Sequence, residues 1–503
     1  MKDELEKFSW LLKWLPEFAL RWIEGGLRRS SRFRAKVEEE DRKVSAMLEN
    51  SLKPYHSKFE RHFNLPVSGI PRDLILGEIK SMHDLERSKW EDGFVSGGIY
   101  HGNRDHIDFL NSVYALQSQS NPLHSDLFPS ATKFEAEIVS MVASFSGRGE
   151  GAPGVCGTVT SGGTESILLA MKVYRDRARR LKGIKKPEVI LATTAHAAFD
   201  KAADYFGLRL VKIPVNQDFF LDPEKVRQKL GPNSIAIVGS APAFPHGVVD
   251  PIEELAEIAD QAGVGFHTDA CLGGFVLPFA ERAGIPVPKV DFRLRGVTSM
   301  SVDTHKYGFA AKGTSVVLYR DEELRREQYF TSTDWPGGLY FSPTLAGSRP
   351  GALSAACWAS LLSTGVDGYQ KAAKGLLRAG ERLKREIGLI PGIRVLGNPL
   401  WIIAFGSDDF DVYEVMEQMS RRGWSLNGLH HPSCVHIALT LRHLEPGVLD
   451  RFLENLRWSV DEVRRNPGKS GGMAPVYGMA SSLPFRGLIG DLLKKTLDAI
   501  YRV

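Results

Sequence analysis

Between residues 155 and 320, short apolar runs alternate with helical segments, and this alternation restricts the chain to a sheet layered with helices. The apolar runs are 189–193, 208–213, 235–239, 264–267, 297–302 and 315–319. Segments with helical patterning lie between them at 166–181, 195–206, 223–230 and 251–262. Strands of this length interleaved with helices form βαβ units and a mostly parallel sheet, so the fold class is α/β. In such sheets ligands sit beyond the carboxyl ends of the strands. Loops that directly follow an apolar run are therefore the places to look for chemistry.

A helical stretch at 367–387 leads into a second, smaller α/β region. Its expected strands are 393–396, 400–405 and 435–441, alternating with helices at 412–421 and 447–464. Residues upstream of about 120 read as helical, with dense charge from Arg28 to Lys58 and prolines at 54, 66 and 71. The expected organisation is a helical N-terminal segment at 1–120, a large domain at 121–365 and a small C-terminal domain at 366–503. A chain of 503 residues is long enough for two or three domains.

Composition narrows the partners. The formal charge of +4 is small, and no zinc spacing, Walker loop or RNA-binding aromatic signature is present. Nucleic acid is not an expected partner. Cys156, Cys271, Cys357 and Cys434 are far apart and unpaired in motif, so neither a disulfide framework nor a metal site is expected. A reducing, cytoplasmic compartment fits that usage. Residues 8–27 read FSWLLKWLPEFALRWIEGGL, with Trp10, Trp14, Phe18 and Trp22 at helical spacing. Lys13, Glu17 and Arg21 would each cost about 2.5–3.5 kcal/mol in a membrane span, and Pro16 interrupts it. Two readings stand for this segment: an amphipathic helix packed on protein, or one lying peripherally in a membrane interface.

Four motifs follow apolar runs or open a helix. Thr160-Ser161-Gly162-Gly163-Thr164-Glu165-Ser166 precedes an apolar-periodic helix. Glycines there let the backbone approach an anion at the helix N-terminus, while the plainer reading is a capped helix. Ala195-His196-Ala197 offers a ring that could stack on a planar cofactor, or an ordinary loop histidine. His267-Thr268-Asp269-Ala270 ends a run; a carboxylate there could keep a pyridine nitrogen protonated, or merely cap a turn. Asp303-Thr304-His305-Lys306-Tyr307-Gly308 sets a lysine between two apolar runs. Partial burial and nearby positive charge are expected to lower the Lys306 pKa and favour the neutral amine that forms a Schiff base. Taken together, a phosphate-type loop, a stacking histidine, a carboxylate and a lysine at strand ends point to pyridoxal 5'-phosphate bound covalently by Lys306.

Several segments carry a closer resemblance: 158–169 (TVTSGGTESILL), 195–200 (AHAAFD), 244–249 (FPHGVV), 269–275 (DACLGGF), 303–308 (DTHKYG) and 342–351 (SPTLAGSRPG). The chain resembles the sphingosine-1-phosphate lyases, fold-type-I pyridoxal-phosphate enzymes of the group II decarboxylase superfamily. The likeness runs from about 78 to 480 and includes 423–429 (GWSLNGL) and 477–480 (YGMA). It implies a large domain with a mostly parallel seven-stranded sheet and a homodimer with shared active sites. It implies that Lys306 attaches the cofactor, Asp269 pairs with the pyridine nitrogen and His196 stacks on the ring. Gly163, Thr164 and His305 would hold the cofactor from one subunit, with Gly347 and Ser348 from the other. Tyr100, Asn121, His124 and Lys312 would line the pocket for the substrate's phosphate, and Tyr100, His124, Lys312 and the cofactor phosphate are all candidates for the proton transfers. The implied reaction cleaves the C2–C3 bond of a phosphorylated long-chain base by a retro-aldol step, giving phosphoethanolamine and a fatty aldehyde. In two respects the chain departs from the family: Ala311 stands where members often carry proline, and the membrane span of eukaryotic members is not evident.

Two other readings compete. An amino-acid decarboxylase would use the same Lys306, Asp269 and His196 but would need a cation for a substrate carboxylate. A catalytically silent, membrane-associated interaction protein would account for the aromatic N-terminus but not for the complete cofactor-binding set.

Overall fold

A computed structural model describes residues 53–149, 152–468 and 486–503, with isolated positions between 23 and 39. The aromatic positions Trp10, Trp14, Phe18 and Trp22 and the segment 477–480 lie outside the described residues. Helices α1 (Arg72–Arg87), α2 (Arg104–Leu116) and α3 (Pro129–Phe145) come first. The large α/β unit follows as β1 (Cys156–Thr160), α4 (Gly163–Lys182), β2 (Glu188–Ala192), α5 (Ala198–Phe206), β3 (Arg209–Ile213), α6 (Pro223–Lys229), β4 (Ser234–Ser240), α7 (Ile252–Ala262), β5 (Gly265–Asp269), α8 (Leu277–Arg282), β6 (Ser299–Val302) and β7 (Ser315–Tyr319).

These strands form one seven-stranded sheet in the order β1-β7-β6-β5-β4-β2-β3. The five strands β3, β2, β4, β5 and β6 are mutually parallel, and β7 runs antiparallel to both its neighbours. The sheet is thus mostly parallel, as expected. Its central strands are buried on both faces, whereas the edge strand β3 leaves Arg209 and Lys212 exposed. Successive side chains point to opposite faces. Val189, Leu191, Val238 and Val317 pack with Ile167, Met171 and Phe199 on one side. Ile190, Ile237, Met300 and Val316 join Val142, Leu255 and Leu376 on the other. Strand β1, CGTVT, was not among the expected strands; its threonines hide an extended segment that pairs with β7 from Cys156↔Tyr319 to Thr160↔Ser315.

Beyond β7 lie α9 (Glu322–Arg326) and a hairpin of β8 (Phe330–Ser332) and β9 (Tyr340–Ser342). Helix α10 (Gly351–Gly388) is broken at Gly365, whose φ of 59° and ψ of 179° leave the helical region. The last unit contains β10 (Arg394–Val395), β11 (Ile402–Gly406), α11 (Val412–Arg421), β12 (Asn427–Leu429), β13 (Cys434–Ala438) and α12 (Val448–Arg465). Its four strands pair antiparallel in the order β10-β11-β13-β12. Helix α13 (Arg486–Ile500) closes the described chain. Among the described residues, no helix is long and apolar enough to cross a membrane.

Candidate active site

Like those of α3 and α5 on either side of it, the N-terminus of α4 carries no side-chain cap. Asn103, Asp222 and Asp411 cap α2, α6 and α11 with side-chain oxygens, whereas Gly162 offers α4 no such cap. The first N–H groups of α4 therefore remain available to an anion, in the favourable field of the helix dipole. Glu165 fixes the loop instead of capping the helix. It is buried, and its carboxylate accepts Ser161 N–H at 2.7 Å and Leu345 N–H at 2.9 Å. The 161–165 loop and the 342–349 loop are thereby tied together. The sequence reading passed over Glu165, although a Glu in the first helical turn is an ordinary signal for such a contact.

Opposite this helix end lie the carboxyl ends of β5 and β6. Asp269 is buried at the end of β5 and accepts from Cys271 N–H at 3.2 Å and Ser301 Oγ at 3.3 Å. Behind it, burial lowers the His267 pKa to about 4, so this ring is neutral and bonds Ser299 at 2.7 Å. After β6, the loop 303–308 folds back so that Lys306 Nζ meets Asp303 Oδ2 at 2.8 Å. The Lys306 side chain keeps only 22% of its surface exposed and that of Asp303 only 1%. Asp303 Oδ1 is buried without a hydrogen-bond partner.

The loop also touches α4. A Cβ on Gly163 would stand 2.7 Å from Cys271 Sγ and 2.8 Å from both Asp303 carboxylate oxygens. Gly163 is therefore required by close approach to Cys271 and Asp303, and only a residue without a side chain lets the start of α4 pack there. His305 is anchored through Nδ1 on the Thr314 carbonyl, and burial lowers its pKa.

Lys306 departs from the sequence expectation. Burial alone would lower its pKa, but the Asp303 carboxylate, with its hydrogen bond, outweighs that and raises it. The amine of this protein is held as an ammonium ion, not as the free base. The error arose from reading burial and neighbouring cations without Asp303, three residues upstream in the same turn. The amine that is lowered is Lys312, to about 8, through burial and then the nearby charge of Lys306.

Tyr100 completes this cluster. Its ring meets that of Tyr307 edge-on at 4.8 Å, and Lys312 Nζ sits 4.5 Å from the Tyr100 ring centroid. Burial raises the Tyr100 pKa. Tyr307 is itself locked by donating to the Leu439 carbonyl at 2.8 Å, which joins the lysine loop to the end of β13.

Other expected residues are placed elsewhere. His196 is exposed in the loop after β2, and its Nδ1 accepts from Ala198 N–H at 3.1 Å, which leaves Nε2 as the outward donor of the neutral ring. Asn121 Oδ1 accepts from Leu123 N–H and Arg349 N–H, both at 3.1 Å. Asn121, the exposed His124, Gly347 and Ser348 therefore belong to one surface, clamped by the Arg349–Glu135 ion pair and the Gly351 N–H bond to Ser120. Among the described residues, no hydrogen bond, ion pair or ring contact joins Asn121 or His124 to Lys306 within the protomer.

Residues 98–389 match the pyridoxal-dependent decarboxylase conserved domain. A sphingosine-1-phosphate lyase of Oryza sativa subsp. japonica is 45% identical over 92% of this chain and 86% of its own length. One from Arabidopsis thaliana is 46% identical over 87% of this chain and 81% of its own. The chain belongs to the sphingosine-1-phosphate lyase family. A solved structure, the sphingosine-1-phosphate lyase of Burkholderia pseudomallei, superimposes with a TM-score of 0.80 at 43% identity, covering 82% of this chain and 95% of that one.

The cofactor of this lyase fold is pyridoxal 5'-phosphate. The residues present fit it: an uncapped helix end and a side-chain-free cradle at Gly163 for the phosphate, a lysine across from it, and a buried carboxylate at the end of β5.

Proposed function

We infer that this protein is a pyridoxal-phosphate-dependent carbon–carbon lyase. It cleaves the C2–C3 bond of a phosphorylated long-chain base to phosphoethanolamine and a long-chain aldehyde. The observation that carries this reading is the meeting of Lys306, Tyr100 and Lys312 beside the Gly163 cradle, in a chain so similar to the lyases of plants. When bound, the cofactor supplies an electron sink for the bond that breaks.

The chain's own residues then have separate tasks. Lys306 would hold the cofactor through its amine. Asp269, fixed by Cys271 and Ser301, would pair with the pyridine nitrogen. Gly163, Thr164 and His305 would hold the cofactor phosphate, and His196 would stack on the ring. Tyr100, Asn121, His124 and Lys312 receive the substrate's phosphate and C3 hydroxyl, and Tyr100, His124 and Lys312 exchange the protons of the C3 hydroxyl and of the product carbon. Lys312, lowered to about 8, is suited to that exchange near neutral pH.

Among the described residues no hydrogen bond, ion pair or ring contact joins Asn121 or His124 to Lys306, and these two residues, with Gly347 and Ser348, are proposed to complete the site of the other subunit of a homodimer. The exposed Leu116, Phe341, Leu345 and Leu362 support the same arrangement. The working division into segments 1–120, 121–365 and 366–503 places the lysine and phosphate cradle in the middle one. Residues 8–27 remain the proposed point of any peripheral membrane contact of this cytoplasmic protein.

The test is a product assay on a long-chain base phosphate with Lys306→Ala as control. Phosphoethanolamine release that disappears in the variant is expected. Carbon dioxide released from an amino acid, without cleavage of the phosphorylated base, would instead identify a decarboxylase.

A further inference from the structure

Asp303 is the buried group in this site that the reaction as described leaves without a task. Its carboxylate sits between three features: the Lys306 amine at 2.8 Å, the Gly163 backbone of the phosphate cradle, and the Cys271 thiol that also borders that cradle. One of its oxygens bonds Lys306, and the other has no hydrogen-bond partner among the described residues. A buried carboxylate so poorly supplied with donors depends on the lysine for its compensation.

Other titratable groups face this pair. Tyr100 approaches from the segment ahead of α2, Asp269 and Cys271 from the end of β5, and His305 and Lys312 from the same loop. Burial raises Tyr100 and Cys271, so both stay protonated and neutral near pH 7. Burial lowers His305, so it is neutral as well. Asp269 already holds hydrogen bonds from Cys271 N–H and Ser301. Asp303 is left as the group in direct contact with the amine.

We propose that Asp303 is a positioning residue that docks the Lys306 amine whenever the lysine is not bonded to the cofactor. The proposal rests on the lyase reading above and deepens it. Docking matters at two moments: before the cofactor is first captured, and in each turnover after the substrate amine has displaced the lysine. Held on Asp303, the freed lysine stays out of the substrate's way and at a fixed distance for its return. Capture joins the lysine nitrogen to the aldehyde carbon and expels the carbonyl oxygen as water. The ammonium first gives a proton to solvent to free its lone pair, and the new carbon–nitrogen double bond regains one. Asp303 therefore shifts the pH dependence of capture upward by favouring the ammonium form.

The experiment uses the full chain stripped of cofactor with a carbonyl reagent. Saturating pyridoxal 5'-phosphate is added, and the visible band is followed at a series of pH values from about 6 to 9. Borohydride reduction and peptide mass spectrometry locate the attachment. Wild-type capture should climb about tenfold per pH unit without a plateau across that range, because the neutral amine is the reacting form. Asp303→Asn should shift the profile down by about one pH unit or more, capturing roughly tenfold faster at pH 7, while Asp303→Glu should stay close to wild type. A wild-type plateau already present near neutral pH, or identical profiles for a folded Asp303→Asn and wild type, would overturn the docking role. A wild-type plateau near neutral pH overturns the docking role even when a variant does not fold, and the comparison with Asp303→Asn and Asp303→Glu is what assigns the climb to Asp303. Attachment at a lysine other than Lys306 in wild type would defeat the lyase reading itself and is told apart by the mass spectrum.

Discussion

At the scale of residues, two amines in one loop are driven in opposite directions. Lys306 gains a buried carboxylate and stays charged; Lys312 gains burial and a like charge and falls to about 8. Lys312 is protonated below that value and neutral above it. Binding of a phosphorylated substrate should weaken as pH rises through about 8, read as an increase in KM. Lys312→Arg, which stays charged throughout, should remove that limb while lowering kcat if the amine exchanges a proton. Gly163 is equally specific. Gly163→Ala would drive a methyl group into Cys271 and Asp303 and obstruct the cradle. Its cofactor affinity should fall by about tenfold or more, equivalent to about 1.4 kcal/mol, with the fold retained. Titration of the visible cofactor band measures it. Unchanged affinity would remove the cradle from the phosphate site.

At the scale of elements, the site depends on how helix α4 is tethered at both ends of its buried face. Glu165 holds the loop before it, and Tyr174 holds its body to the sheet. The Tyr174 hydroxyl contacts the Phe266 carbonyl at 3.1 Å, Thr298 Oγ1 at 2.7 Å and Ser299 Oγ at 2.6 Å. Tyr174→Phe leaves that buried set short of a partner and should cost about 1–3 kcal/mol in denaturant unfolding. Glu165→Gln should cost less stability but loosen both loops that frame the cradle, which reduces cofactor retention more than the melting temperature. Strands β2, β4, β5, β6 and β7 were legible because both faces of the sheet are buried there, whereas the edge strand β3, with Arg209 and Lys212 exposed, was legible through Leu210, Val211 and Ile213. Strand β1 was not, because alternate threonines and a glycine carry no such run, and its pairing with β7 comes from distant chain.

At the scale of the whole molecule, four histidines are buried as neutral rings. Burial lowers His246, His267, His436 and His443 to about 4 from an ordinary 6.5. The unfolded chain binds protons at these rings before the native protein does. Stability should therefore be complete above about pH 6.5, decline as pH falls, and level off below about 4. Thermal melts across that range check it; a flat melting temperature from 6.5 to 4 would contradict the buried neutral assignment. The proposed dimer makes a further expectation. Leu116→Glu or Leu362→Asp, both exposed in the protomer, should shift sedimentation toward monomer and lower turnover together, because Asn121 and His124 would lose the partner site they serve.

What the sequence by itself determined is local: apolar runs of strand length, the helical segments between them, the Gly-Gly loop opening α4, and a carboxylate and a lysine just past strand ends. Those signals depend on neighbouring residues and pointed to the cofactor, with Lys306 as its expected attachment point; the resemblance to the lyases was carried by the longer motifs at 303–308 and 342–351. The tertiary structure decided the electrostatics. Asp303 was in view beside Lys306 in the sequence, but only the fold of the 303–308 turn shows its carboxylate meeting the amine and raising the lysine that burial alone would lower. Only the packing of that turn against α4 shows why position 163 admits no side chain. Only the fold shows Arg349 joining Asn121 and Glu135, and Glu165 tying the 342–349 loop to the loop that opens α4. A pKa and a cradle are sums over atoms brought together from distant parts of the chain, and spacing along the sequence does not contain those distances.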